Sequence, residues 1–138
     1  MKIYFAGSIT GGRQDVDLYS SMIKELNRYG KVLDEHIGDS SITDKGEIEK
    51  DKQFVYRRDM NWLTEADMMV AEVTTPSLGV GFEIGRAQSM GKNVLCFYRP
   101  NNGRTLSLVI SGNPEVKIFN YTDFNDFSRI IGEYFKIK

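Results

Sequence analysis

Short runs of apolar residues alternate along the chain with segments whose apolar positions recur at helical spacing, the pattern of a parallel sheet with crossover helices. Lys2 to Ala6 reads as the first strand. After a glycine-containing loop, Gly7 to Arg13, a helix places Val16, Tyr19, Ile23 and Leu26 on one face and closes at Gly30. A second strand, Lys31 to Glu35, follows. The polar stretch Gly38 to Lys50 has no periodicity and reads as a long loop beside the strand ends, where it could serve as a lid. The pattern next predicts a helix over Asp51 to Glu65, a strand over Met68 to Val73, a loop through Thr74 to Gly79, a helix from Val80 to Met90 and a fourth strand, Asn93 to Tyr98. A short helix over Thr105 to Ile110 and a fifth strand, Val116 to Tyr121, come after it. The last helix carries Phe124, Phe127, Ile131, Tyr134 and Phe135 on one face.

Five parallel strands with helices on both faces most often wind in the order 2-1-3-4-5, giving a doubly wound, Rossmann- or flavodoxin-like α/β fold. Ligands of such sheets sit outside the carboxyl ends of strands 1 and 3. That rule puts Gly7 to Arg13 beside Thr74 to Glu83 at one crevice.

Composition narrows the picture. A chain of 138 residues, 41% hydrophobic and 27% charged, suits one domain, and no repeat or Pro-rich linker divides it. A net charge of -1 supplies no broad positive surface, so a nucleic-acid polymer is not an expected partner. The apolar stretches are strand-length, short of the roughly 20 residues of a membrane span, and no basic-then-apolar leader opens the chain. A cytoplasmic location away from membranes is therefore expected. The one cysteine, Cys96, lies in the apolar run Val94 to Tyr98 and reads as a buried, inert thiol. With His36 the sole histidine, a His-based metal cluster is ruled out, and neither metal nor cofactor is expected.

Several residues near the crevice can carry chemistry. The glycines of Gly7-Ser8-Ile9-Thr10-Gly11-Gly12-Arg13 let backbone N–H groups approach an anion, and Ser8 and Thr10 add hydroxyl donors. The spacing is neither a Walker loop nor a dinucleotide fingerprint, and a tight connection explains it equally well. Ser77 and the first turn of the following helix face the same crevice. Glu83 falls in that opening turn, where the helix macrodipole favours an ionised carboxylate suited to a nucleophile; a simple pairing with Arg86 is the alternative. Asp59 shares a helical stripe with Val55, Trp62, Leu63 and Ala66, and an apolar setting would raise its pKa into the range of a proton donor. Its alternative is a rim position bonded to a loop backbone. One ionised and one protonated carboxyl group, about 5 to 5.5 Å apart, are the requirements of retaining glycoside cleavage. Tyr4 could orient Glu83 through its hydroxyl or be a core tyrosine. Glu72 reads as a hydrogen-bond partner for a neighbouring loop, Trp62 as core packing, and Arg57 and Arg58 as solvated.

Three segments together resemble the 2'-deoxynucleoside 5'-phosphate N-hydrolases of the nucleoside 2-deoxyribosyltransferase superfamily: Tyr-Phe-Ala-Gly-Ser-Ile at 4–9, Ala-Glu-Val-Thr-Thr-Pro-Ser-Leu-Gly-Val-Gly-Phe-Glu-Ile-Gly-Arg-Ala at 71–87, and Gly-Arg-Thr-Leu-Ser at 103–107. The resemblance implies that Glu83 is the nucleophile, Asp59 the acid and Tyr4 the group that orients Glu83. It further implies phosphate contacts from Gly7, Ser8, Ile9, Gly11, Ser77 and Gly79, a position near the base for His36, and a homodimer in which Ser107 reaches the partner's phosphate. Relatives carry arginine where this chain has Thr10; Arg13 is the candidate to replace that charge.

Hydrolysis of a deoxynucleoside monophosphate to free base and 2-deoxyribose 5-phosphate is thus the first expectation. Exchange of bases through the same covalent intermediate is the second, and a nucleotide-binding module without chemistry the third.

Overall fold

The computed structural model describes residues 1–8, 15–33, 52–100 and 102–137. Ile9, Thr10, Gly11, Arg13, His36 and the loop expected over Gly38 to Lys50 lie outside the described residues. The elements run β1 (Lys2–Ala6), α1 (Val16–Leu26), β2 (Lys31–Leu33), α2 (Lys52–Glu65), β3 (Met68–Glu72), α3 (Leu78–Ser89), β4 (Asn93–Tyr98), α4 (Leu108–Ser111), β5 (Lys117–Asn120) and α5 (Phe124–Ile137). Their sheet has five strands in the order β2-β1-β3-β4-β5, every neighbour parallel, as the apolar pattern predicts.

Side chains alternate between two apolar layers, one on each face of the sheet. Ile3, Phe5, Val70, Leu95 and Phe97 pack with Tyr19, Met22 and Leu26 of α1 and Phe127 and Ile131 of α5. Tyr4, Ala6, Met69, Ala71 and Cys96 pack on the other face with Leu63 of α2 and Val80, Ile84 and Ala87 of α3. Both faces are covered, which is why β3 reads as an unbroken apolar run until its last residue, Glu72. The register sets Phe5 beside Val70 and Ala6 beside Ala71, so the chain leaves β1 and β3 side by side at one edge.

One boundary matters for the site. Ser77 caps α3 by accepting the Val80 N–H at 3.3 Å, so the helix starts at Leu78 rather than Val80. Glu83 consequently lies in the second turn, beyond the end where the macrodipole acts most strongly. Similarly, Ser107 caps α4, which therefore begins three residues later than the pattern suggests.

Candidate active site

Three of the predicted residues meet. Tyr4 is fully buried in the α2/α3 layer, and its hydroxyl donates to Glu83 Oε2 at 2.5 Å. Asp59 arrives from α2 within hydrogen-bonding reach of Glu83. That contact is closer than the separation expected for a retaining pair, so a sugar would have to part the two groups.

The ionised state expected of Glu83 is opposed by its surroundings. Burial dominates at Glu83 and pushes its carboxyl up to about 7; the Tyr4 hydroxyl and Arg58 pull it back, while the Asp59 charge and hydrogen bond add to the rise. The α3 macrodipole does little to counter this rise, because Glu83 sits one turn too deep. Asp59, instead of lying in an apolar setting, is ion-paired: Arg58 Nε donates to Oδ1 at 3.0 Å and Nη2 lies 2.9 Å away.

Arg58 is the main correction to the sequence reading. Its side chain is only 12% exposed, and its guanidinium lies 4.9 Å from the Trp62 ring centroid and 5.9 Å from that of Phe54. Phe54, Arg58 and Trp62 are spaced by four along α2, so the stripe that carries this stack was available in the sequence. Trp62 is accordingly half-buried and does more than fill the core. Arg57 is exposed, as expected, and bonds Gln53. Arg86 makes no ion pair with Glu83 among the described residues and stands exposed.

Beyond this cluster, Gly7 and Ser8 leave β1 at the same edge of the sheet. A Cβ at Gly7 would come within 2.9 Å of the Tyr19 ring, which explains the glycine by close approach. The Ser8 N–H donates to the Tyr19 hydroxyl at 3.3 Å, whereas Ser8 Oγ is buried without a hydrogen-bond partner among the described residues. Such an orphaned hydroxyl is uncommon and marks unused bonding capacity.

Ser77 and Ser107 face a groove of about 710 Å³ that Pro76, Leu78, Phe82 and Val109 also line. Tyr4, Asp59 and Glu83 do not line it. Gly79 is exposed in the first turn of α3. The described site residues thus fall into three groups: the acid cluster, the Gly7–Ser8 turn, and the serines of the groove.

Glu72 behaves as its sequence position suggested. Fully buried, it accepts from Thr74 N at 2.9 Å, from Thr74 Oγ1 at 2.7 Å and from the Tyr121 hydroxyl. Sequence reasoning did not find its neighbours Arg99 and Asp15, joined at 2.5 Å across 84 positions. Such distant pairing leaves no local signal.

The profile described as Nucleoside 2-deoxyribosyltransferase matches residues 3–123. The chain belongs to this family. Among its relatives, the 5-hydroxymethyl-dUMP N-hydrolase of Danio rerio is 47% identical over 138 residues, covering 99% of this chain and 96% of the relative. A protein of Nematostella vectensis called putative 2'-deoxynucleoside 5'-phosphate N-hydrolase 1 is 48% identical over 126 residues, covering 91% and 86%. The fold also matches a Clostridium botulinum CMP N-glycosidase with a TM-score of 0.67 at 16% identity, over 97% of this chain and 99% of that one. For this deoxyribosyltransferase-family chain, Tyr4, Asp59, Glu83 and the capping Ser77 all lie inside the matched region.

Proposed function

We propose that the protein is an N-glycosidase that hydrolyses 2'-deoxynucleoside 5'-monophosphates to a free base and 2-deoxyribose 5-phosphate. The observation that carries this reading is the contact of two carboxyl groups, Glu83 and Asp59, with a tyrosine hydroxyl on the first and an arginine on the second. The names of the Danio rerio and Nematostella vectensis relatives support the same bond and the same substrate class.

In the proposed reaction Glu83 attacks C1' as a carboxylate, the C1'–N bond breaks, and Asp59 protonates the departing base. Water then attacks C1' of the glycosyl ester, its proton passes to the Asp59 carboxylate, and Glu83 leaves. The first step needs the proton on Asp59, whereas burial holds it on Glu83. Their hydrogen bond offers a direct route for that proton as the sugar enters between them, with Arg58 giving up part of its hold on Asp59. Tyr4 stabilises the carboxylate that remains.

The phosphate is assigned to Gly7, Ser8, Ser77 and Gly79, supported by the buried Ser8 hydroxyl, which has no partner among the described residues, and by the N-terminus of α3. Ile9, Thr10, Gly11, Arg13 and His36 keep the substrate-binding roles that family resemblance gives them. A homodimer that brings Ser107 to the partner's site is supported by the groove and by Leu78, Leu108 and Val109, which are 96%, 80% and 81% exposed on the chain alone. A cytoplasmic location fits the buried free Cys96, and no helix among the described residues is long and apolar enough to cross a membrane.

The test is base release across deoxy- and ribonucleoside monophosphates and the matching nucleosides, with 5-hydroxymethyl-dUMP included because relatives bear its name. The expected result is release from deoxynucleotides that Glu83→Gln abolishes. Efficient exchange of a second free base into an unphosphorylated deoxynucleoside would replace hydrolysis by transfer. Binding without turnover would remove the enzymatic reading.

A further inference from the structure

On the face of the sheet opposite Tyr4, the carboxyl edge carries a second polar cluster that the reaction above does not use. Arg99 follows β4, and its backbone N–H donates to Thr74 Oγ1 at 3.0 Å. Thr74 in turn donates twice to Glu72, which also receives the Tyr121 hydroxyl. The Arg99 guanidinium lies 5.7 Å from the Tyr121 ring centroid and bonds Asp15 Oδ2 at 2.5 Å. Asp15 stands immediately before α1, and its carbonyl accepts the Tyr19 N–H at 2.8 Å. Tyr19 ends the chain of contacts: its ring packs against Gly7 and its hydroxyl takes the Ser8 N–H.

We infer that Arg99 is a positioning residue for phosphate recognition, acting through Asp15 and Tyr19 to set the Gly7–Ser8 turn. This rests on the phosphate assignment proposed above. Three strand ends and the start of α1 converge on Arg99, yet no ionisable group of the Tyr4–Glu83–Asp59 cluster is bonded to it. The Asp15–Arg99 pair is also largely withdrawn from water, with side chains 19% and 21% exposed, so it is screened less than a surface pair. Fixing Asp15 fixes the first turn of α1, and that turn carries Tyr19. A displaced Tyr19 would move the Ser8 N–H and the orphaned Ser8 hydroxyl together. Ser8 is also fully buried, so the turn has little room to readjust without Tyr19.

The role predicts a loss confined to phosphate-bearing ligands. Steady-state kinetics of the whole protein with a deoxynucleoside monophosphate and the matching deoxynucleoside, for Arg99→Met, Arg99→Lys and Asp15→Asn, reads it directly. Arg99→Met and Asp15→Asn should raise the nucleotide KM at least about tenfold with kcat held within about threefold, so that the nucleotide-to-nucleoside ratio of kcat/KM falls about tenfold. Arg99→Lys keeps the charge and should recover most of that ratio. Equal losses on both substrates, or none, overturn the inference. Thermal stabilisation by inorganic phosphate separates it from the glycosidase reading: the shift should be present in the wild type and lost in Arg99→Met, even if neither releases a base. A shift retained in Arg99→Met, or missing from the wild type, overturns it as well.

Discussion

Replacing Glu83 by glutamine should stabilise the protein by an amount that depends on pH. The Glu83 carboxyl rises from an ordinary 4.5 to about 7, chiefly because it is buried. The native state therefore holds this proton more tightly than the unfolded chain does. Below pH 4.5 both states are protonated and the full benefit is present; as pH rises through 7 the native state is left with a buried anion and the benefit is lost. At about 1.4 kcal/mol per tenfold change in acidity, the rise corresponds to about 3 kcal/mol. Glutamine has nearly the shape of the protonated acid and can still accept from Tyr4, so it avoids that cost. The gain of Glu83→Gln over wild type should be near zero at pH 4 and grow to about 3 kcal/mol by pH 8. Urea unfolding at closely spaced pH values measures it, with equal m-values as the check that only stability has changed. The same ionisation should set the acid limb of kcat/KM near pH 7. A gain that is flat across pH, or already complete at pH 4, would refute the idea that burial of this carboxyl dominates.

Tyr4→Phe removes a hydroxyl that favours ionised Glu83; the acid limb of kcat/KM should move up by about one pH unit and kcat fall about tenfold, read from a pH–rate profile. Asp59→Asn should cut base release by about 10² or more and, by removing a neighbouring negative charge, lower the Glu83 pKa, which the thermal stability of the variant against pH would show. Ser77→Ala strips the cap of α3 and should cost about 1 kcal/mol in urea unfolding, with a higher KM for the nucleotide. Leu108→Asp puts a charge on the exposed apolar face proposed as the dimer interface; sedimentation velocity should show a dimer for the wild type and a monomer for the variant.

The fold was legible because its signals are local. Each strand is a short apolar run closed by glycine or polar residues, and the helix faces of α1 and α5 follow from spacing alone. The meeting of Glu83 with Asp59 was also readable, since strand order and an acid on an otherwise apolar stripe both point to it. The rise of the Glu83 carboxyl was not. It depends on how deeply that group is buried, which is set by packing between α2 and α3 rather than by spacing within either. The start of α3 shows the same limit on a small scale. Ser77 is a good cap by composition, but only the folded loop reveals that it is used, and a shift of two residues removes the macrodipole argument for Glu83.

Because Trp62 is the sole indole in the chain and lies beneath Arg58, the protein contains its own optical probe of the proposed proton donor, Asp59. Any event that draws the guanidinium from Asp59 alters the charge above that ring. Intrinsic emission could then follow ligand arrival in real time, without a dye and without waiting for product.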